Sequence, residues 1–106
     1  MWIMPKKILV YQEPVDLRKS FDGLSALIEI SFSEELTSGT FFAFLNKQRN
    51  RIKILFWDTD GLVIWYKRLE KGTFGQSKKE PTKKDFLLML EGVVPKRISK
   101  RYKRLN

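Results

Sequence analysis

Two apolar stretches, Ile52-Lys-Ile-Leu-Phe-Trp57 and Leu62-Val-Ile-Trp-Tyr66, flank the short polar segment Asp58-Thr-Asp-Gly61. β-Branched and aromatic residues on either side of an Asp-Gly pair predict a β-hairpin over Arg51 to Glu70. Strand alternation puts Arg51, Lys53, Leu55 and Trp57 on one face of the first arm, with Ile52, Ile54, Phe56 and Asp58 on the other. In the second arm Leu62, Ile64, Tyr66 and Arg68 oppose Val63, Trp65, Lys67 and Leu69. Both arms are apolar near the turn and cationic at the open end, so the half near the turn is expected to be buried on both faces or used as an interface.

The same reading extends outward. Thr40-Phe-Phe-Ala-Phe-Leu45 predicts a strand, and Asn46-Lys-Gln-Arg-Asn50 predicts a turn in which the two Asn supply left-handed residues. Together with the hairpin this makes a three-stranded antiparallel meander. Ile3 and Lys7-Ile-Leu-Val-Tyr11 predict a short first strand that Pro14 ends. Asp16 is then expected to cap a helix from Leu17 to Phe32, whose apolar stripe is Leu17, Phe21, Leu24, Leu27 and Ile28. Arg18, Lys19, Asp22 and Glu29 lie off that stripe, with Asp22 close enough to Arg18 or Lys19 for a surface pair. Gly23 inside the helix costs about 1 kcal/mol relative to Ala, which the helix either tolerates or offsets by close packing of another backbone. Ser33 to Gly39 and Lys71 to Glu80 read as loops. Thr82 and Asp85 have capping-box spacing before a second helix with Phe86, Leu87, Met89 and Leu90 as its apolar stripe, closed by Gly92 and Pro95. The expected fold class is α+β: an antiparallel β-meander of about four strands packed with two helices. A single domain over residues 1–95 precedes a basic, flexible tail over residues 96–106.

Charge adds direction. Twenty-one Lys and Arg against twelve Asp and Glu give a net charge of +9, which attracts polyanions such as nucleic acid or an acidic protein surface. The absence of Cys and His excludes disulfides, thiolate chemistry and the commonest general base and metal ligand. No metal or other cofactor is implied. No apolar run approaches the ~20 residues of a membrane span, and a soluble, cytoplasmic protein without a membrane partner is expected.

The cations gather in two places. Lys47, Arg49, Arg51, Lys53, Lys67 and Arg68 converge at the open end of the meander, where strands fix their spacing for phosphate oxygens. The bland counterpart is a solvated strand edge kept soluble by charge. Lys96, Arg97, Lys100, Arg101, Lys103 and Arg104 form the tail, a sequence-independent DNA contact or simply a solubilising end. Trp57, Trp65 and Tyr66 are first of all core candidates. If two of them share an exposed face, a protein interface is favoured over base stacking, because both neighbouring positions are aliphatic rather than cationic. Asp16, Asp22, Asp58, Asp60 and Glu70 invite a metal-nuclease reading. Asp58-Thr-Asp-Gly61 lacks the length and distal Glu of a calcium loop and reads better as a turn.

Three separated blocks, Asp16-Leu-Arg-Lys-Ser-Phe-Asp-Gly-Leu24, Arg51-Ile-Lys-Ile-Leu-Phe-Trp-Asp-Thr-Asp-Gly-Leu62 and Tyr66-Lys-Arg-Leu-Glu-Lys-Gly-Thr-Phe74, resemble the TnpB-type accessory protein of a bacterial insertion-sequence group. The group is the one numbered sixty-six, and the protein is its second open reading frame. The residues carrying the resemblance are Asp16, Arg18, Lys19, Phe21, Asp22, Gly23, Trp57, Asp58, Gly61, Lys67, Arg68 and Leu69. The resemblance implies a small non-enzymatic factor encoded beside a larger transposase and needed for transposition. Its expected partners are the DNA of the element ends and that transposase, with the oligomeric state open. The alternatives are a purely protein-binding subunit of the transposition complex and, third, a metal-dependent nuclease.

Overall fold

The computed structural model describes residues 5–92. The chain forms β1 (Ile8–Val10), α1 (Phe21–Ser31), a 3-10 turn (Leu36–Ser38), β2 (Phe41–Leu45), β3 (Arg51–Asp58), β4 (Gly61–Arg68) and α2 (Lys83–Glu91). The four strands make one sheet in the order β1-β2-β3-β4, an α+β architecture as expected. β2, β3 and β4 are the antiparallel meander. β1 departs from it and pairs with β2 in parallel, Ile8 with Phe41 and Val10 with Ala43. A parallel partner needs a long crossover, and α1 lies in the connection between these strands.

The two helices cover opposite faces. Leu24 and Ile28 of α1 pack with Leu9, Phe42, Phe44 and Leu55, and Val15 and Leu17 complete that core. Phe86, Met89 and Leu90 of α2 pack with Ile8, Val10, Phe41, Ala43, Ile52 and Ile54. β2 is buried along its whole length, which explains why its sequence reads as a continuous apolar run and not as an alternation.

α1 begins later than its apolar spacing predicted. Its N-cap is Ser20, without a side-chain capping bond. Asp16 caps nothing: Lys19 N–H donates to the Asp16 carbonyl in a tight turn, and the Asp16 carboxylate receives the Arg18 backbone N–H and guanidinium. Leu17 is buried from this turn, whereas Phe21 is 43% exposed. Helical spacing thus matched a buried position that a turn supplies. The space beside Gly23 is filled by the Lys19 side chain, whose Cβ and Cγ lie 3.1 Å from where a Cβ would stand, so a lysine stem and not a backbone packs there.

α2 follows its capping signal, the Thr82 hydroxyl accepting from Asp85 N–H at 3.1 Å. Leu87 is 44% exposed and leaves the predicted stripe. The connection between β4 and α2 is irregular yet anchored. Phe74 is buried, its N–H donates to Arg49 O at 2.7 Å, and Val10 N–H donates to Lys79 O at 2.7 Å. That last bond closes the outer edge of β1.

Of the two alternatives expected for the hairpin half near the turn, burial on both faces does not hold: Leu62 and Ile64 are half-buried and Val63 is exposed. Among the described residues β4 has only one neighbour in the sheet, and the fully buried part of β3 is its middle, Ile52, Ile54 and Leu55. Asp58 pairs with Gly61, leaving Thr59 and Asp60 as the two-residue turn. Thr59 and not Gly61 holds the positive φ, 56°.

Candidate nucleic-acid interface

The open end of the meander is built by Asn46. Its side-chain oxygen accepts from the N–H groups of Asn50 and Arg51, both at 3.0 Å, and its amide donates to Asn50 Oδ1 at 2.7 Å. With both Asn side chains closing the loop, the left-handed position falls to Arg49, at φ 57°; the expectation that Asn residues would occupy it is corrected accordingly. This brings the start of β3 and the end of β4 together in fixed register: Arg51 stands directly opposite Arg68, Lys53 opposite Tyr66, and Ile52 opposite Lys67.

That register divides the six predicted cations. Arg51, Lys53 and Arg68 share the α1 face, since directly opposed residues and every second residue point the same way. Lys67 lies on the α2 face and donates to Leu90 O at 3.2 Å, meeting a carbonyl in the last turn of α2 where a cation is favoured. Arg49 turns inward. Its guanidinium donates to Gly75 O, its Nε is buried with no hydrogen-bond partner among the described residues, and burial pushes its pKa down. Lys47 is exposed on the loop. Lys96, Arg97, Lys100, Arg101, Lys103 and Arg104 lie outside the described residues.

Of the α1-face cations Arg51 lines an open groove of about 790 Å³, together with Asp16, Arg18, Asn46, Lys47 and Tyr66. Lys53 Nζ donates to Lys19 O at 2.8 Å and lies 5.1 Å from the centre of the Tyr66 ring. Arg51 reaches the Tyr66 hydroxyl at 3.5 Å, and Arg68 is held by Glu70 at 2.8 Å. Two arginines directly opposite on neighbouring strands repel each other, an arrangement that an anion between them relieves.

Arg18 enters the groove unannounced by the sequence, because as a helix-surface residue it was assigned to a different neighbourhood. Its fork grips the Asp16 carboxylate at 2.6 Å, and this hydrogen-bonded pair holds the Asp16 pKa well below the usual carboxylate range. The Asp-x-Arg spacing was the available signal. Pairing with Asp16 also replaces the surface pair expected between Asp22 and the helix cations.

A sequence profile described as "IS66 Orf2 like protein" matches residues 6–100. The chain belongs to that family. A curated relative, the "Uncharacterized protein y4jC" of Sinorhizobium fredii (strain NBRC 101917 / NGR234), is 34% identical over 68 residues, covering 64% of this chain and 58% of the relative. The chain thus spans little more than half of that relative's length. No solved structure matches.

In this IS66 Orf2-like chain the three predicted aromatics do not form one surface. Trp65 packs partly on the α2-side core. Trp57, half-buried near the hairpin tip, lines a separate recess of about 250 Å³ with Phe41 and Phe56. Tyr66 is 48% exposed and stands beside Lys53 and Arg51, contrary to the expectation that its neighbouring positions are aliphatic rather than cationic. Asp58 and Asp60 are exposed at the tip. Among the described residues, no three Asp, Glu, His or Cys gather as a metal-ligand group, and no helix is long and apolar enough to cross a membrane.

Proposed function

We propose that this protein is a non-catalytic accessory factor of insertion-sequence transposition that engages DNA of the element through the cationic corner of its meander. The observation that carries this reading is the placement of Arg51 directly across from Arg68 on one face, with Arg18, Lys47 and Tyr66 lining the adjoining groove. Arginine forks meet phosphate oxygens in this way, and an exposed tyrosine adds a stacking surface for an unpaired base. Arg68, paired with Glu70, and Lys53, bonded to Lys19 O, add positive charge on the same face. Arg49 and Lys67 support it from within, by anchoring the loop and the end of α2. The six basic residues from Lys96 to Arg104 add contacts of low sequence preference. Membership of the IS66 Orf2-like family supports an insertion-sequence role, for which element DNA and a transposase are the partners of this reading.

Gel-shift titration with the element's terminal repeats, set against random DNA at several salt concentrations, tests this. Binding that weakens with salt and with loss of Arg51 and Arg68 is expected; no binding at the lowest salt refutes it. A protein-binding subunit without DNA contact is the second reading, favoured by the aromatic recess around Trp57. It predicts co-purification with the transposase that survives tail deletion and is lost in Trp57→Ala.

A further inference from the structure

The two edges of the sheet are treated differently. β1 is three residues long, and its outer side is closed by the bond from Val10 N–H to Lys79 O. β4 is eight residues long, and among the described residues no backbone hydrogen bond falls on its outer side. Leu69 N–H donates inward to Asn50 O at 2.7 Å. In an antiparallel ladder inward and outward amides alternate, so the amides of Leu62, Ile64, Tyr66 and Arg68 point outward. The charges of β4, Lys67 and Arg68, lie at one end, and Gly61 to Tyr66 is left without the charge, proline or bulge that normally blunts an exposed edge.

We infer that β4 pairs antiparallel with β4 of a second copy of this chain, joining two sheets into one of eight strands. The charges select both the partner and the register. β4 has an acidic end, with Asp60 at the turn, and a basic end, where Lys67 and Arg68 outnumber the Glu70 that pairs with Arg68. A two-fold axis through Ile64 pairs Ile64 with its own copy, Leu62 with Tyr66 and Asp60 with Arg68. Moving the axis to Trp65 would instead set Asp60 against Glu70 and Leu62 against Arg68, so like charges and a desolvated cation oppose that register. A parallel arrangement would stack the basic ends on one another. The interface is isologous, as two-fold dimers require. Because the axis is perpendicular to the sheet, both cationic grooves face the same side. This pairing rests on the free edge and its charges and does not depend on the DNA-binding reading.

Analytical ultracentrifugation of the full chain, from low micromolar to near-millimolar concentration, tests it. A reversible monomer–dimer equilibrium is expected. Ile64→Pro removes an outward N–H while sparing the β3–β4 ladder, so it should abolish the dimer and keep the far-ultraviolet circular dichroism of the monomer. Asp60→Arg and Arg68→Asp should each weaken the dimer about tenfold, since symmetry counts the pair twice, and the D60R/R68D double variant should restore it even if Ile64→Pro fails to fold. A monomer at every concentration overturns the inference. So does a dimer indifferent to these charge reversals, or an edge that only a different protein occupies.

Discussion

Neutralising cations in two sets separates those that face phosphate from those that hold the fold. Lys47 and Arg51 are exposed and have no acidic partner among the described residues. Replacing both with Gln removes two phosphate contacts and should reduce the slope of log K against log salt by about 1.8, at about 0.9 per contact on duplex DNA. Between 50 and 200 mM salt the native protein should then lose about twelvefold more affinity than the variant does. The basic C-terminal residues are the same in both proteins, so their share cancels. Arg49→Gln and Lys67→Gln are the counterpart set: their head groups are spent on Gly75 O and Leu90 O. They should leave the slope unchanged and lower stability, by about 1–2 kcal/mol for the part-buried, charge-assisted bond of Arg49 and about 0.5–1 kcal/mol for Lys67 at the helix end. Fluorescence anisotropy titrations well below each variant's Tm give the slopes, and thermal melts give the stabilities. If the Arg49 and Lys67 substitutions flatten the slope as much as the Lys47 and Arg51 pair does, the division of the cations by strand register is wrong.

Thr59 is β-branched at φ 56°, so Thr59→Gly should stabilise the fold by about 0.5–1 kcal/mol net of glycine's chain entropy, seen as a Tm higher by a few degrees. Phe42 is fully buried at the centre of the α1-side core, and Phe42→Ala should cost about 3–5 kcal/mol, read as a lower urea midpoint with unchanged m. The Asp16 and Glu34 carboxyls are held below their ordinary pKa mainly by hydrogen bonds from Arg18 and Lys7. Their contribution to stability is therefore complete above the unfolded carboxylate pKa of about 4 and is lost as pH falls through the lower folded values. Asp16→Asn should make the dependence of unfolding free energy on pH shallower in that acid range, measured by urea titrations at stepped pH.

The meander was legible because β3 and β4 combine β-rich runs with a polar turn, and α2 because Thr82 sits at capping distance from Asp85. The direction of β1 was not, since three uniformly buried apolar residues look alike in a parallel or an antiparallel pair. α1 was predicted four residues too early because Leu17 falls at helical spacing while serving the core from a turn. At the site, sequence located the cations but not their facing. Strand parity depends on cross-strand register, and nothing local marks that Arg49 folds inward or that Tyr66 lies across from Lys53.

The irregular segment between β4 and α2 also links parts of the molecule in time. Phe74 N–H is held by Arg49 O, Gly75 N–H by Met89 O and Val10 N–H by Lys79 O, so one strip of chain ties the β2–β3 loop, α2 and the β1 edge. When this strip lifts, those amides lose their acceptors together, and hydrogen exchange at Val10 and Phe74 should report a single opening with one shared free energy. The stretch with the least regular structure therefore sets how often the regular edge at β1 comes open.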